Sequence, residues 1–344
     1  MKSKWLFVFL VLALVLGLNA VMAGCASKPQ ETLKPQKVLW AETGAPKATS
    51  DLIFLDLQSR INKATNGLLS FEVHYQYELY KGPEGIEAVS SGALPFTVSN
   101  AYDAYTWDPR WDIYNFPMVF DDFDHMMRFN DSKTMADFQE EMRQKGTMVL
   151  FGTLKGSMAS MPIYTKFPVK KYTDLAGHNM RVLAGPTYAK MTELLGTKGM
   201  TIASSELPVA LKTGMFDCMH GGGQRGYVDS LGIADNMKYF LQPDLTTSTY
   251  WVFMSTKWYE SLPKDIQKTI KDVCAEWQPV GNKTYIDSTV DSKNYLRSRL
   301  TEIVMPESEV QWLRNTLKPL YALYAGLHPK AKDILAAVEA TRGK

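Results

Sequence analysis

The feature that most limits how this chain can fold is a regular alternation of strand-like and helix-like segments. Residues 37–42 have the composition of a strand, and apolar residues spaced by three and four predict a helix over 50–65. Apolar and polar side chains alternate over 69–75, as in a half-buried strand. A short helix over 83–91 and a strand over 94–99 complete the series. This β-α-β-α-β order predicts an α/β domain.

The same alternation returns in the second half of the chain. It predicts strands over 179–183, 200–203 and 215–219, with helices over 187–195 and 205–212 between them. From residue 262 the pattern becomes helical for a long way. Pro279 is expected to kink or break the first of these helices, because proline removes a backbone donor.

The start of the chain is predicted to be a secretory signal over residues 1–24. A basic beginning is followed by an apolar stretch too short to span a bilayer comfortably, and then by small residues. The run Met22-Ala23-Gly24-Cys25 resembles a bacterial lipobox, which would make Cys25 the lipidated first residue and 25–36 a tether. The alternative is ordinary cleavage after Ala23, which would leave a soluble protein.

About 310 residues remain after the signal and tether, which is more than one core usually holds. We therefore predict an α/β lobe over 37–155 and a second over 156–250. Helices over 251–344 are expected to pack across both lobes.

Composition excludes several classes of protein. A net charge of +2 gives no basic excess to meet phosphates, which argues against nucleic acid as a partner. No segment after the signal has the pattern of a transmembrane helix, and we find no zinc or redox motif. Cys218 and Cys274 either pair or remain two separate buried thiols.

Sequence motifs for common enzyme activities are missing or incomplete. Gly221–Gly226 satisfies G-x-G-x-x-G, but Gly232 interrupts the helix that a dinucleotide site needs, so a flexible turn is the better interpretation. There is no G-x-S-x-G or H-E-x-x-H sequence. The five histidines show no paired metal spacing, although His220 adjoins the glycine run. We therefore predict no cofactor.

Two features favour a ligand site. Aromatic residues cluster over 102–114, either as a core or lid or as an apolar wall for a ligand. Arg181 lies inside a strand-like segment, where a buried guanidinium needs an anion. The chemistry alone leaves open whether that anion is a protein carboxylate or a ligand.

The stretch 172–218 resembles the signature region of solute-binding proteins of TRAP (tripartite ATP-independent periplasmic) transporters. Trp258 through Leu262-Pro263 also resembles the family's entry into a long C-terminal helix. The signature elements occur in the family's order and spacing, and they are Asp174-Leu175-Ala176-Gly177, Arg181-Val182, Leu195-Gly196, Ser205-Glu206, Ala210-Leu211, Gly214 and Asp217.

The resemblance implies a two-lobe α/β periplasmic-binding-protein architecture that closes around a small organic acid. The acid would be delivered to a membrane permease without chemical change, so no catalytic residue is expected. The resemblance also implies that Arg181 pairs with the ligand carboxylate and that Arg181→Ala abolishes binding with the fold intact. The predicted ligand-binding residues are Arg181, Met161, Gly221, His220, Glu42, Tyr102, Trp107, Ala184, Ser204 and Trp251.

Departures from the family pattern bear on the ligand. Met161 falls where many members carry a second arginine, and Gly221 falls where many carry asparagine. These changes favour a monocarboxylate with an apolar or aromatic body, and Trp107, Tyr102 or Trp251 would supply walls. The alternatives are a secreted enzyme or a ligand-sensing lipoprotein that uses the same cleft.

Overall fold

The computed structural model describes residues 33–42, 49–75, 78–80, 82–149 and 159–343. The predicted export signal, with Cys25, lies outside this part of the chain. From Pro35 onward the chain forms one unit. Within the described ranges, no helix is both long and apolar enough to cross a membrane.

The described residues contain thirteen strands, numbered in chain order. Their bounds are β1 (Gln36–Ala41), β2 (Leu69–His74), β3 (Phe96–Asn100), β4 (Thr147–Val149), β5 (Ala159–Met161), β6 (Ile163–Thr165), β7 (Asn179–Val182), β8 (Lys198–Thr201), β9 (Cys218–His220), β10 (Tyr239–Gln242), β11 (Thr246–Ser248), β12 (Tyr250–Ser255) and β13 (Thr301–Val304).

The same residues contain fourteen α-helices and three short 3-10 helices. The α-helices are α1 (Thr49–Ala64), α2 (Gly82–Ser91), α3 (Ala101–Ala104), α4 (Phe123–Asn130), α5 (Lys133–Gln144), α6 (Pro186–Leu194), α7 (Leu207–Lys212), α8 (Arg225–Ser230), α9 (Ile233–Asn236), α10 (Thr256–Ser261), α11 (Lys264–Arg299), α12 (Glu307–Leu317), α13 (Pro319–Leu327) and α14 (Ala331–Ala340). The 3-10 helices span Pro109–Asn115, Tyr172–Leu175 and Ser204–Glu206.

The first sheet has the order β2-β1-β3-β12-β4. Strands β1, β2 and β3 run parallel, while β12 runs antiparallel to both β3 and β4. The connections through α1 and α2 follow the predicted β-α-β-α-β order. The residues at the C-terminal ends of β1 and β3 therefore meet the first residue of β12 at one edge.

The second sheet has the order β13-β10-β6-β9-β7-β8. Strand β7 runs parallel to both β8 and β9, and β6 runs antiparallel to β9 and β10. The C-terminal ends of β7, β8 and β9 and the start of β6 accordingly lie at one edge. The predicted α/β fold class with two lobes is thus confirmed as two sheets with helices packed on them.

The chain passes between the two sheets more than once. Strands β5 and β11, which lie on the two connecting segments, pair with each other. Helix α11 packs against α1 near the first sheet and leads into β13 of the second. The region beyond residue 250 is therefore not purely helical, since it supplies β12 to one sheet and β13 to the other. Helices α12 to α14 contact elements of both halves, including α5 and α6.

Pro279 does not end α11, contrary to one of the two outcomes expected from the sequence. The helix is 36 residues long in total, and Pro279 lies in its interior. A Cβ at Gly281 would lie 2.7 Å from the ring of Trp277, so glycine at this position leaves room for the indole. The indole nitrogen of Trp277 donates to Asp56 of α1 at 2.9 Å. Packing of α11 against α1 therefore outweighs the loss of one backbone hydrogen bond.

A buried ionic cluster anchors the 3-10 helix Pro109–Asn115. The Arg110 side chain is 1% exposed and donates to both carboxylate oxygens of Asp108, at 3.0 and 2.8 Å. It also donates to Glu141 of α5 at 2.7 Å and lies 4.1 Å from the centre of the Phe138 ring. Because every one of these partners is protein, this arginine is structural.

The two remaining cysteines do not pair. Cys218 and Cys274 are both buried free thiols. Burial raises the pKa of Cys218 to about 12, with a further contribution from the negative charge of Asp217. The second of the two alternatives left open by the sequence is thus confirmed, and neither thiol has the ionised character that reactivity needs.

Candidate functional site

The two sheet edges that gather strand ends are where a ligand site is expected in folds of this type. On the second sheet, this edge carries Arg181 near the end of β7, His220 at the end of β9 and Met161 just before β6. All three side chains are buried. The topology therefore unites three of the predicted site residues that are separated by up to 59 positions in the chain.

The Arg181 guanidinium is completely buried and held by backbone carbonyls. Its Nε and Nη2 atoms donate to the carbonyl oxygen of Ile202 at 3.0 and 2.8 Å, and Nη1 donates to that of His220 at 3.1 Å. These carbonyls follow β8 and close β9, so the neighbouring strands fix the plane of the side chain. The arginine is thereby rigid before any ligand arrives.

The charge of Arg181 has no acidic partner among the described residues, where its hydrogen bonds go to neutral carbonyls. The three bonds use three of the five N–H donors that a guanidinium carries. A fully buried cation without a counter-charge is costly, and a carboxylate can accept two parallel bonds from the remaining donors. This arrangement favours the ligand over a protein salt bridge as the anion for Arg181.

Gly221 keeps the space next to this guanidinium open. A Cβ at this position would lie 3.3 Å from Arg181 Nη1 and 3.0 Å from the Met219 methyl group. The next glycine, Gly222, lies under the ring of Tyr227, which a Cβ would approach to 3.3 Å. The glycine run thus allows close approach rather than nucleotide binding, and the helix that follows it, α8, has only six residues.

His220 is held as a neutral imidazole. Its Nε2 lies 2.9 Å from the hydroxyl of Thr246, and the ring centre lies 5.3 Å from that of Tyr188. Burial lowers the pKa of His220 to about 3, and the positive charge of Arg181 acts in the same direction against a weaker opposing hydrogen bond to the Met161 backbone. The histidine therefore adds no second positive charge to the site.

Met161 stands beside this pair. Its sulfur lies 3.7 Å from the Thr246 hydroxyl, and β5 places its backbone opposite Thr246. The side chain is buried and apolar where a second arginine would supply charge. No group of three or more histidine, cysteine, aspartate or glutamate side chains suited to a metal is found in the described ranges.

Acidic and aromatic residues gather at the edge of the first sheet. Glu42 follows β1 and is 2% exposed, and Asp103 lies on α3, directly after β3. Ala41 pairs with Thr97 and Tyr250 pairs with Asn100. Because side chains alternate along a strand, Glu42 and Tyr250 project from the same face of the sheet.

The two edges approach each other near Tyr250, whose ring centre lies 6.2 Å from that of Tyr285, and the Tyr285 hydroxyl accepts a hydrogen bond from Gln224 of the second half of the chain. Burial raises the pKa of the Tyr250 phenol. Electrostatic interactions with Glu42, Tyr227 and Asp103 raise this pKa further. Tyr227 belongs to α8 of the second half of the chain, and its hydroxyl lies 3.0 Å from that of Ser204. Neither Tyr227 nor Tyr250 is among the residues predicted from the sequence, because no local signal indicates that they come together.

Other predicted residues differ in how well their surroundings suit a ligand wall. Ala184 is exposed after β7, and a Cβ on the adjacent Gly185 would lie 3.7 Å from the ring of Tyr105. Tyr102 lies on α3, and its side chain is outside what the structure describes. Trp107 packs beside Lys145, whose Nζ lies 5.7 Å from the centre of its ring.

Trp251, which the sequence predicts as a wall of the ligand site, makes the contacts of a core residue instead. Its ring is completely buried and packs edge-to-face on Trp111 at 4.8 Å and against Tyr114 at 5.1 Å. The indole nitrogen donates to Thr249 at 2.8 Å. The aromatic cluster that the sequence suggested as a ligand wall thus supplies mainly the core of the first half, as its first alternative stated.

The chain matches known proteins over most of its length. A C4-dicarboxylate-binding periplasmic protein, DctP of Vibrio cholerae, is 24% identical over 280 residues, covering 77% of this chain and 79% of the relative. A TRAP periplasmic solute-binding protein from Sulfitobacter, solved with β-D-galacturonate, has a TM-score of 0.79 at 17% identity, covering 89% of this chain and 100% of that one.

A third similar protein is an extracytoplasmic solute receptor of Bordetella pertussis, solved with pyroglutamic acid. Its TM-score is 0.79 at 19% identity, covering 88% of this chain and 99% of that one. The family model described as bacterial extracellular solute-binding protein, family 7, matches residues 41–326. Such proteins bind solutes rather than transform them. The chain therefore belongs to the family 7 (DctP) bacterial extracellular solute-binding proteins.

Proposed function

We propose that this protein is the solute receptor of a TRAP transporter and that Arg181 binds the carboxylate of a small organic acid. The observation that carries the proposal is the buried guanidinium, which has no acidic partner in the described part of the chain and is held rigidly by the carbonyls of Ile202 and His220. The ligands named for the similar proteins are C4-dicarboxylates, β-D-galacturonate and pyroglutamic acid. Each of them carries a carboxyl group, which supports the same assignment.

Delivery to a membrane permease follows from the same proposal. The two sheets are joined by connecting segments that carry β5 and β11 and by the long helix α11. Connections of this kind let two lobes move relative to each other, so a ligand held at both sheet edges would favour their approach. The closed form would then be the one that the permease recognises.

Within the acids, a monocarboxylate with an apolar or aromatic body is our preferred ligand. Met161 is buried and uncharged beside the His220–Thr246 pair, and Gly221 adds no polar side chain next to Arg181. His220 is neutral as well. Arg181 is therefore the one cationic side chain that our assignment gives to the ligand, which suits one carboxylate better than two.

A panel of carboxylic acids tests this assignment by thermal shift. Branched or aromatic monocarboxylates are expected to raise the melting temperature by about 5 °C at a concentration 100-fold above Kd. Succinate, malate and galacturonate are the comparison group, and chloride at equal ionic strength is the control. Stabilisation by the dicarboxylates alone would contradict the monocarboxylate assignment but leave the receptor proposal standing. No stabilisation by any acid would contradict both.

We also propose that the receptor is anchored by a lipid on Cys25. The order of a basic start, an apolar stretch and Met22-Ala23-Gly24-Cys25 supports this proposal. The intact protein is expected in the membrane fraction with an acylated N-terminal cysteine, and a Cys25→Ala variant in the soluble fraction. A wild-type mature chain that begins at Gly24, identified by mass spectrometry, would instead show cleavage after Ala23.

A further inference from the structure

The first-sheet edge of the site is chemically unlike the Arg181 edge. Where the second sheet contributes a cation, the first contributes the carboxylates of Glu42 and Asp103 and the phenol of Tyr250. An acid that binds Arg181 through its carboxylate presents its other end to this acidic edge. A second anionic group there would meet like charges, whereas a cationic group would be attracted.

Glu42 is the more important of the two carboxylates. It is 2% exposed and projects from the same face of the sheet as Tyr250. Their strands flank β3, which separates their backbones by roughly 10 Å across the sheet, with Val98 and Asn100 of β3 on the same face between them. Glu42 already has neighbours within the protein, so an incoming cation would add to those interactions.

Asp103 is expected to attract a ligand cation less strongly than Glu42, because its carboxylate also contacts the start of a helix. A Cβ on Gly82, the first residue of α2, would lie 2.4 Å from an Asp103 carboxylate oxygen, so this carboxylate sits against the start of that helix. The hydroxyl of Ser99 also donates to it, at 3.4 Å. Its charge is therefore partly balanced by the helix N-terminus.

Aromatic rings lie close to the same edge. The centre of the Tyr250 ring lies 6.2 Å from that of Tyr285 on α11, and the Tyr285 hydroxyl accepts a hydrogen bond from Gln224. Tyr227 follows on α8, with its ring over Gly222. Tyrosine faces attract cations within about 6 Å of the ring centre, and alkylated ammonium groups are recognised in this way because they are poorly hydrated.

We propose that the ligand is a zwitterion whose carboxylate binds Arg181 and whose alkylated ammonium group lies between Glu42 and the rings of Tyr227 and Tyr250. This inference rests on the proposed receptor function and narrows its ligand class. It is compatible with an apolar body, because the methyl groups of an alkylated ammonium surround the charged nitrogen with a hydrocarbon surface. Among monocarboxylates with such a body, it ranks a cationic acid above its neutral isostere.

Pairs of acids that differ only in this charge test the inference. One pair is glycine betaine and its carbon isostere, in which a tert-butyl group replaces the trimethylammonium group. The second pair has two more methylene groups in each partner. Isothermal titration of the full mature protein is expected to show, in at least one pair, about 30-fold tighter binding of the cationic member.

Glu42→Gln identifies the side chain that is responsible. The variant is expected to reduce the 30-fold preference to about threefold or less, while the Kd of the tert-butyl acid stays within about threefold of wild type. Asp103→Asn should have a smaller effect on the preference. Glu72→Gln is the matched control, because this carboxylate lies on β2 of the same sheet but pairs with the exposed Lys37; it should leave the preference unchanged.

Two results would overturn the zwitterion assignment. One is equal or tighter binding of the tert-butyl member in both pairs. The other is binding of hydroxylated or aliphatic acids with none of the cationic acids bound. In either case Arg181→Ala would still abolish binding of the acid that does bind, so the receptor proposal would survive. Failure of the cationic series together with the whole carboxylate panel would remove both proposals.

Discussion

Replacing Arg181 with alanine is expected to weaken binding of the best carboxylate ligand by at least about 100-fold. The ligand carboxylate would lose a buried, charge-assisted pair, and such losses cost about 2–5 kcal/mol. Arg181→Lys keeps the charge but lacks the planar fork that bonds two oxygens at once, so it should fall between wild type and alanine. Isothermal titration measures all three proteins. An unchanged Kd for Arg181→Ala would remove this residue from the site.

The alanine variant should also be less stable without ligand, which modifies the expectation drawn from the sequence. Arg181 donates to the carbonyls of Ile202 and His220, and its removal leaves both acceptors buried without these bonds. Each such loss costs about 1–3 kcal/mol. Circular dichroism at the titration temperature must therefore confirm that the variant is folded. Ser204→Ala, two residues after Ile202, is a comparison for stability, because the Ser204 hydroxyl bonds to Tyr227 and not to these carbonyls.

Replacing Arg110 with methionine is expected to lower the free energy of unfolding by about 3–5 kcal/mol, because Asp108 would stay buried without its main counter-charge. The melting temperature should fall by roughly 6–12 °C. Arg143→Met is the matched control: Arg143 pairs with Glu140 and Glu260 but is 40% exposed, so its removal should change stability little. Ligand affinity should be unchanged in both variants. Equal stability of the two variants would show that the buried ion pairs of Arg110 stabilise the fold no more than the exposed ones of Arg143.

The Arg110 effect should also depend on pH. Burial tends to raise the pKa of Asp108, but the hydrogen bonds and charge of Arg110, helped by Lys145, outweigh it and lower this pKa below the ordinary value. A carboxyl with a lowered folded-state pKa stabilises the protein above its unfolded pKa, near 3.9, and loses that contribution as the pH falls through the folded value. The difference between wild type and Arg110→Met should therefore be largest near neutral pH and shrink below about pH 4.

Much of the first half of the fold could be predicted because its signals are local. The helix α1 and the strand β2 have clear three-to-four and two-residue periods, and their bounds differ from the predicted ones by one residue. Strand β12 was missed for a physical reason. Five of its six residues are buried, so it has no alternation, and its pairing with β3 joins residues about 150 positions apart.

The candidate site could be predicted only in part. Arg181 can be recognised because a charged residue within an apolar strand is visible in the local sequence and needs a counter-charge. Of the carbonyls that hold it, one directly follows β8 and the other closes β9, and their positions depend on strand pairing. Tyr227 and Tyr250 come together only after both halves have folded, and nothing in their local sequence distinguishes them from the other tyrosines.

The position of β12 also determines when this protein can fold during its synthesis. The first sheet needs β12 between β3 and β4, so it stays incomplete until residue 255 has left the ribosome. The entire second sheet except β13 is synthesised before that point. Long-range pairing of this kind slows folding. A chain that remains incompletely folded until late in its synthesis would be a better substrate for a translocation channel that passes extended polypeptide.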